Sequence, residues 1–489
     1  PEPKPRREAQ ERVSNQEHDL RAEVTRAARA IGAPEEYVAV IERPRDPSFG
    51  DWATNAAMVL AKQLRRKPRD IADALIREID YKRGGLSAAE IAGPGFINFR
   101  VATDTIVKGL TALVGADARF GTAILGAQKP VNVEFVSANP TGPLHVGHGR
   151  QAALGDAIAS LLQHTGWVVT HEFYYNDGGA QIDNLAISVQ ARVRQLAGRE
   201  AAIPEGGYHG EYIKDIAQRY VETYPSDQFA EDLDVVRRFA VQELRKEQDR
   251  DLQAFGVRFD VYYLESSLYS DGKVDETVRG LIDAGHAYAK DGALWLRTNA
   301  YGDDKDRVMR KSTGAFTYFV PDVAYHVTKW QRGYTRAINV QGADHHSTVT
   351  RVRVGLQALD MGIPQGYPEY VLHQMVTVMR SGEEVKISKR AGSYVTVRDL
   401  VDEVGRDAVR YFFLMRKGDS QLVFDVDLAR AQSEENPVYY IQMAHARMSG
   451  IFRVGGIDVG TISGRDADLS LLSLPEEQEV IKALLDYPR

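Results

Sequence analysis

At 489 residues, 43% hydrophobic and 26% charged, the chain has the makeup of a soluble globular protein of roughly three domains. The absence of cysteine excludes disulfides, thiolate metal sites and thiol nucleophiles, and no run approaches the roughly 18 apolar residues of a membrane-spanning helix. The net charge of −7 argues against indiscriminate nucleic-acid binding but leaves room for a local basic face, and a cytoplasmic setting fits these features.

Residues 1–16 are polar and charged and read as a frayed tail. An α+β pattern follows over 17–120. It has a helical start (20–30), a strand-like stretch at Tyr37 to Ile41, a helix from Trp52 to Arg65, a Pro68-initiated helix to Ile79, and a strand at Phe96 to Phe99 after the turn signal Gly93-Pro94-Gly95. From Val131 the grammar changes. Val131 to Val136 reads as a buried strand, Ser137 to Val146 as a loop, Gly147 to Gln163 as a helix and Val168 to Tyr174 as a second strand. That order is a βαβ unit and implies a parallel sheet. A charged, mainly helical insertion is expected near 185–255, strand patterns return at Ala293–Leu296, Ala337–Gln341 and Glu369–Leu372, and 426–489 reads as helical.

Two short motifs carry chemistry. His145-Val-Gly147-His148 sits where the first strand hands over to a helix. A helix N-terminus offers unpaired N–H groups and partial positive charge to a phosphate, and Gly147, lacking Cβ, leaves room for a flat group against the backbone. The plain alternative is a helix cap with two incidental histidines. Lys386-Ile-Ser388-Lys389-Arg390 places three cations in five residues between Gly382 and Gly392. Such a loop suits a triphosphate and its departing pyrophosphate, whereas an isolated basic pentapeptide is usually a solvated surface run.

Together these motifs resemble the two ATP-binding signatures of class I aminoacyl-tRNA synthetases. The segment Glu134 to His148, Asn176-Asp-Gly-Gly-Ala-Gln181, Tyr318-Phe-Val-Pro-Asp322, Gly342-Ala-Asp-His-His346 and the run from Lys386 through Arg410 are similar to arginyl-tRNA synthetases in particular. Phe49 to Ala57 and Gly93 to Phe99 are similar to that family's N-terminal tRNA-binding domain. The resemblance implies a Rossmann-like α/β catalytic domain over 121–425, an α+β tRNA-binding domain over 17–120, and an all-helical anticodon-binding domain from 426 that is incomplete at its C-terminal end. It implies activation of L-arginine with ATP and Mg²⁺ and transfer to tRNA-Arg by a monomer.

Residue by residue, the resemblance assigns His145, Gly147, His148, Lys386, Ser388, Lys389 and Arg390 to ATP. It assigns His145, His148, Lys386 and Lys389 to catalysis, Glu134, Tyr318 and Asp322 to the guanidinium, Asn139 to the α-amino end of arginine, and Phe96 and Asn98 to tRNA. A guanidinium is a permanent cation with a rigid fork of donors, so carboxylates are the chemistry its pocket needs. Each carboxylate also has an ordinary alternative: Glu134 as partner of a nearby arginine, Asp322 as a helix cap, and Phe96 likewise as a core residue. Ile387 replaces the usual methionine of the second signature, and Ser347-Thr348 departs from the family's glycine and aromatic, which leaves Asp344 and His345 without an assigned role. Three rivals stay open: a class I synthetase for another amino acid, a small nucleotidyltransferase, and a silent tRNA-binding paralogue. The absent cysteine disfavours a cysteine enzyme, the acidic pocket a glutamate one, and the chain length a small nucleotidyltransferase.

Overall fold

The computed structural model describes residues 16–385, 395–462 and 467–487. Lys386, Ser388, Lys389 and Arg390 lie outside the described residues. The chain divides into two compact units, one made of the residues up to Thr122 together with those from Phe452 onward, the other of Ala123–Ile451. The last segment thus groups by contact with the N-terminal residues, a different partition from a single C-terminal block over 426–489.

In the first unit, α1 (Gln16–Ala30), β1 (Trp52–Thr54), α2 (Ala56–Leu64), α3 (Pro68–Glu78), β2 (Leu86–Ala92), β3 (Phe96–Val101) and α4 (Thr103–Ala116) surround an antiparallel sheet of order β1-β3-β2. Leu20, Trp52, Ile71, Leu75, Ile97 and Phe99 form its core. Two sequence expectations change. Tyr37–Ile41 is extended but joins no strand ladder; the Val40 carbonyl accepts the Thr54 hydroxyl at 2.7 Å, and Glu42 bridges Ala53. Trp52 opens a strand rather than a helix, because pairing with Phe99 buries its indole under the Arg43 guanidinium, 3.8 Å from the ring centroid. The helix then starts one residue after Asn55. The helix Pro475–Leu485 lies on α4 and places Ile481 in the same core.

In the second unit, β4 (Pro130–Glu134), α5 (Val146–His164) and β5 (Val168–Tyr175) make the expected βαβ unit. The insertion is three helices, α6 (Gly179–Leu196), α7 (Glu211–Thr223) and α8 (Leu233–Ala254), on their own apolar core of Leu185, Ile213, Tyr220 and Leu244. Next come β6 (Val261–Leu264), α9 (Glu265–Ser270), α10 (Lys273–Asp283), β7 (Ala287–Lys290), β8 (Ala293–Leu296) and β9 (Arg307–Arg310). The stretch Ala293–Leu296 does not enter the parallel sheet. The two-residue turn Asp291-Gly292, both at positive φ, folds β8 back on β7 as a hairpin, and β7, β8 and β9 form a separate antiparallel sheet. The chain continues through α11 (Phe319–Gln331), β10 (Ala337–Gly342), α12 (His346–Gln357) and β11 (Glu369–His373), then β12 (Val376–Arg380), β13 (Glu383–Glu384), α13 (Val397–Val404), α14 (Arg406–Leu414), β14 (Leu422–Asp425), α15 (Val426–Arg430) and α16 (Pro437–Val454).

The central sheet is parallel throughout, in the order β11-β10-β4-β5-β6. Strands succeed one another outward from β4 through β5 to β6, and the chain then crosses to the other flank of β4 to add β10 and β11. The switch point lies between β4 and β10, and open α/β sheets bind ligands at the carboxyl ends of the strands there. Side chains alternate across the sheet. Val131, Val133, Phe173 and Val340 face the core that also takes α5, and Gly155 lets α5 approach, since a Cβ there would sit 2.1 Å from Phe135 Cγ. The opposite face carries Glu134, Glu172 and Asn339 in one cross-strand row. Among the described residues no helix is long and apolar enough to cross a membrane.

Candidate active site

The candidate site at the switch point is built from the loop that leaves β4. Val136 and Ser137 hold left-handed φ values of 68° and 41°, a conformation that costs on the order of 1–3 kcal/mol for a non-glycine residue. Ser137 secures the kink by donating its hydroxyl to Glu134 Oε1 at 2.9 Å and accepting the Tyr174 N–H at 3.2 Å. The loop then reaches His145, the N-cap of α5, whose Nδ1 accepts the N–H groups of Gly147 (3.1 Å) and His148 (3.4 Å). His148 Nδ1 accepts the His145 N–H at 3.2 Å, and the two rings stack with centroids 3.6 Å apart. Both imidazoles therefore use Nδ1 as an acceptor, which puts the proton of each neutral ring on Nε2. The space over Gly147 is taken by the His145 ring, 2.9 Å from where a Cβ would stand, and not left open for a flat ligand.

The inserted helices grip this loop from behind. Gln248, fully buried on α8, donates from Nε2 to the carbonyls of Asn139 (3.2 Å) and Gly142 (2.9 Å). Tyr212 on α7 donates to the Thr141 carbonyl at 2.8 Å. The Asn139 side chain points to α6, with Nδ2 2.8 Å from Gln181 Oε1. On the other side Val397 N–H donates to the Leu144 carbonyl at 2.8 Å, and His145 bridges Thr396, so the chain just past the second signature returns to the first.

The polar face of the sheet, covered by α11, holds the residues assigned to the guanidinium. Tyr318 is the N-cap of α11 and is 76% exposed. Asp322 follows one turn later, on the same helix face. Burial, Glu265 and then Glu134 push its carboxyl up to about 8. Glu265, at the start of α9, is also raised, chiefly by burial, although it accepts the Tyr174 hydroxyl at 3.0 Å. Glu265, Asp322 and Glu134 all act electrostatically on the Tyr174 phenol, which burial already holds far above its usual range. Three carboxylates therefore act on one tyrosine, Glu265 through a direct hydrogen bond.

Glu134 itself has a cation at hand. Its Oε2 accepts from Lys329 Nζ at 2.6 Å, both side chains being buried. Lys329 also donates to Asn339 Oδ1 at 3.0 Å; Asn339 Nδ2 faces His326 Nε2 at 2.7 Å, and His326 Nδ1 faces the Asp322 carbonyl at 2.8 Å. Burial and Lys329 bring His326 down to about 4, so it is neutral, donates from Nδ1 and accepts at Nε2. Glu172, opposite Glu134, is enclosed by a bidentate Arg332 (2.8 Å to each oxygen), the Tyr325 hydroxyl (2.7 Å) and Asn132 Nδ2 (2.9 Å). Burial opposes its ionisation, yet these donors and Lys329 hold it below the usual carboxylate range. Near the end of β10, Gln341 Oε1 is buried without a partner among the described residues.

The structure thus brings His145 together with His148, and Glu134 together with Asp322. Asn139 lies along the loop from Glu134 and bonds towards α6. Phe96 is half-buried at the start of β3 and is not part of the core of its unit, while Asn98 is buried in mid-strand. Lys329, Asn339, His326, Glu265, Gln248 and Tyr212 were not singled out from sequence. A signal existed for some of them: Asn339 interrupts an apolar strand, and Asp322, His326 and Lys329 recur at helical spacing inside an otherwise apolar stretch.

Comparison with known proteins bears on this site. Residues 18–101 match the family model for the arginyl tRNA synthetase N-terminal domain, and 110–448 that for the class I (R) tRNA synthetase catalytic domain. The chain is 59% identical over 462 residues to an arginine–tRNA ligase of Geobacter metallireducens, covering 92% of this chain and 82% of that protein. It is 55% identical over 481 residues to one from Thiobacillus denitrificans, covering 96% and 86%. The fold is similar to Thermus thermophilus arginyl-tRNA synthetase, with a TM-score of 0.71 at 21% identity, over 96% of this chain and 86% of that one.

Proposed function

The chain belongs to the arginyl-tRNA synthetase family, and from that premise we propose how its residues divide the work. Its activity is that of an arginine–tRNA ligase: it activates L-arginine with ATP and transfers the arginyl group to the 3′-terminal adenosine of tRNA-Arg. In the first step the carboxylate of arginine attacks the α-phosphorus and pyrophosphate leaves. No protein nucleophile is required, so positioning and charge do the catalysis.

In this reading the α5 N-terminus faces the phosphates, and His145 and His148 donate from Nε2 as charge builds on the α-phosphate. Lys386, Ser388, Lys389 and Arg390 hold the departing phosphates with Mg²⁺, which enters with the nucleotide and takes ligands from its phosphates and water. Asp322, Tyr318 and Glu134 receive the guanidinium, Asn139 the α-ammonium, and Phe96 and Asn98 contact the tRNA. The segments 17–120, 121–425 and 426–489 serve as tRNA-binding, catalytic and anticodon-binding parts, in a cytoplasmic monomer.

The observation that supports arginine at this site is the convergence of Glu134, Asp322 and Glu265 on Tyr174, where a cationic side chain is favoured and a glutamate substrate would add like charge. The test is amino-acid-dependent ATP–pyrophosphate exchange with each of the twenty amino acids, with and without tRNA. Arginine-dependent exchange is expected. Exchange with a different amino acid, or with none in the presence of tRNA-Arg, would overturn the reading.

A further inference from the structure

We propose that Lys329 is a positioning residue of the arginine site: its ammonium fixes the Glu134 carboxylate, and through Asn339 and His326 ties it to the turn that carries Asp322. The proposal rests on the reading of Glu134 and Asp322 as guanidinium ligands.

Every proton of the Lys329 ammonium is accounted for. One goes to Glu134 Oε2 at 2.6 Å, one to Asn339 Oδ1 at 3.0 Å, and the third side of the ammonium faces the Tyr325 ring, 4.6 Å from its centroid. The side chain is fully buried. A buried ion pair is poor evidence of stabilisation, since apolar residues of similar volume often do as well or better. Nor is Lys329 needed to anchor α11, because Arg332 and Tyr325 already fasten that helix to Glu172 on β5 with three hydrogen bonds of 2.7–2.8 Å. What Lys329 alone does is supply a fixed cation to Glu134. Among the described residues Ser137 is the only other donor to Glu134, so without the lysine its Oε2 has no donor there and the carboxylate loses its fixed orientation. With the ammonium on Oε2 and Ser137 on Oε1, one lone-pair direction on each oxygen is spent and the others are left for a guanidinium.

The test is arginine-dependent ATP–pyrophosphate exchange by the full chain with tRNA. Lys329→Met is expected to raise the arginine KM about tenfold or more, near 1.4 kcal/mol, and to leave the ATP KM within about twofold. A folded Lys329→Met enzyme whose only change is a lower melting temperature overturns the proposal and makes the lysine structural. Should that variant fail to fold, Lys329→Gln retains a donor for Glu134 and is read by the same two criteria. Glu134→Gln separates the premise from the inference. If it leaves the arginine KM unchanged, Glu134 is no guanidinium ligand and the premise fails. If it raises the arginine KM but the Lys329 variants do not, only the role of Lys329 fails.

Discussion

If Asp322 receives the guanidinium, as proposed, its raised carboxyl makes arginine binding a proton-coupled event with a calculable pH profile. With its carboxyl at about 8 in the empty site, only about 1% is ionised at pH 6, about a tenth at pH 7 and about nine-tenths at pH 9. A guanidinium favours the ionised form, so arginine must drive the proton off. If the carboxylate is the binding form, the apparent arginine KM falls by about two orders of magnitude from pH 6 to pH 9, and about one proton is released per arginine near pH 7. Isothermal titration in buffers of different ionisation enthalpy counts that proton directly, and exchange kinetics give the KM profile. Asp322→Asn should flatten the profile, raise the arginine KM and spare the ATP KM. Glu265→Gln, which removes the larger carboxylate contribution, should shift the midpoint to lower pH. The same linkage acts on stability. An acid raised in the folded state costs stability as pH climbs from the unfolded value near 4 towards about 8, so the thermal shift given by saturating arginine should grow over that range. A flat arginine KM between pH 6 and 9 with no proton release would refute the argument.

Three further substitutions separate chemistry from support. His148→Ala removes a donor to the phosphates and the acceptor for the His145 N–H; exchange should drop by at least about a hundredfold while the helix-cap loss costs only about 1 kcal/mol by chemical unfolding, and a drop under tenfold would count against the phosphate role. Gln248→Leu strips two part-buried carbonyls of the signature loop of their donor; urea unfolding should register about 1 kcal/mol for each lost hydrogen bond, and unchanged KM values for both ATP and arginine would mean that α8 does not position the loop. Glu172→Gln leaves the Arg332 charge without its partner, with an expected cost of about 3–5 kcal/mol; the enzyme that remains folded should keep its arginine KM, and a KM defect larger than its loss of stability would place Glu172 in the pocket.

The parts of the structure written in local pattern were legible in the sequence. The βαβ unit from Val131 to Tyr174 stands out because an apolar strand, a glycine-bearing loop and a helical period succeed one another, and the sheet it implies is the one observed. Trp52 misleads because an aromatic before a helical period looks like part of the helix, and only pairing with Phe99, far along the chain, makes it a strand. Ala293–Leu296 has strand composition, but nothing local says which sheet receives it. In the site, the family resemblance marked Glu134 and Asp322 for a guanidinium, yet the cation already beside Glu134 comes from a helix more than 190 positions later. Such a partner becomes visible only once α11 lies across the strands. The stacking of His145 on His148 is likewise set by cap geometry, which the motif spacing permits without requiring.

In the proposed division of work, strand β4 joins the two halves of the reaction. Glu134 ends it on the polar face, under α11; the left-handed pair Val136-Ser137 then turns the chain towards the N-terminus of α5, which packs on the apolar face. Glu134 and His145, the residues proposed for arginine and for ATP, are connected by the short loop between them. That loop is overdetermined: Ser137 is tied to Glu134 and Tyr174, the carbonyls of Asn139, Thr141 and Gly142 to the insertion, and that of Leu144 to Val397. A carboxylate attacking in line tolerates little misplacement, and a strained kink persists only where its surroundings fix it. The inserted helices accordingly hold in place the loop that joins Glu134 to the N-terminus of α5.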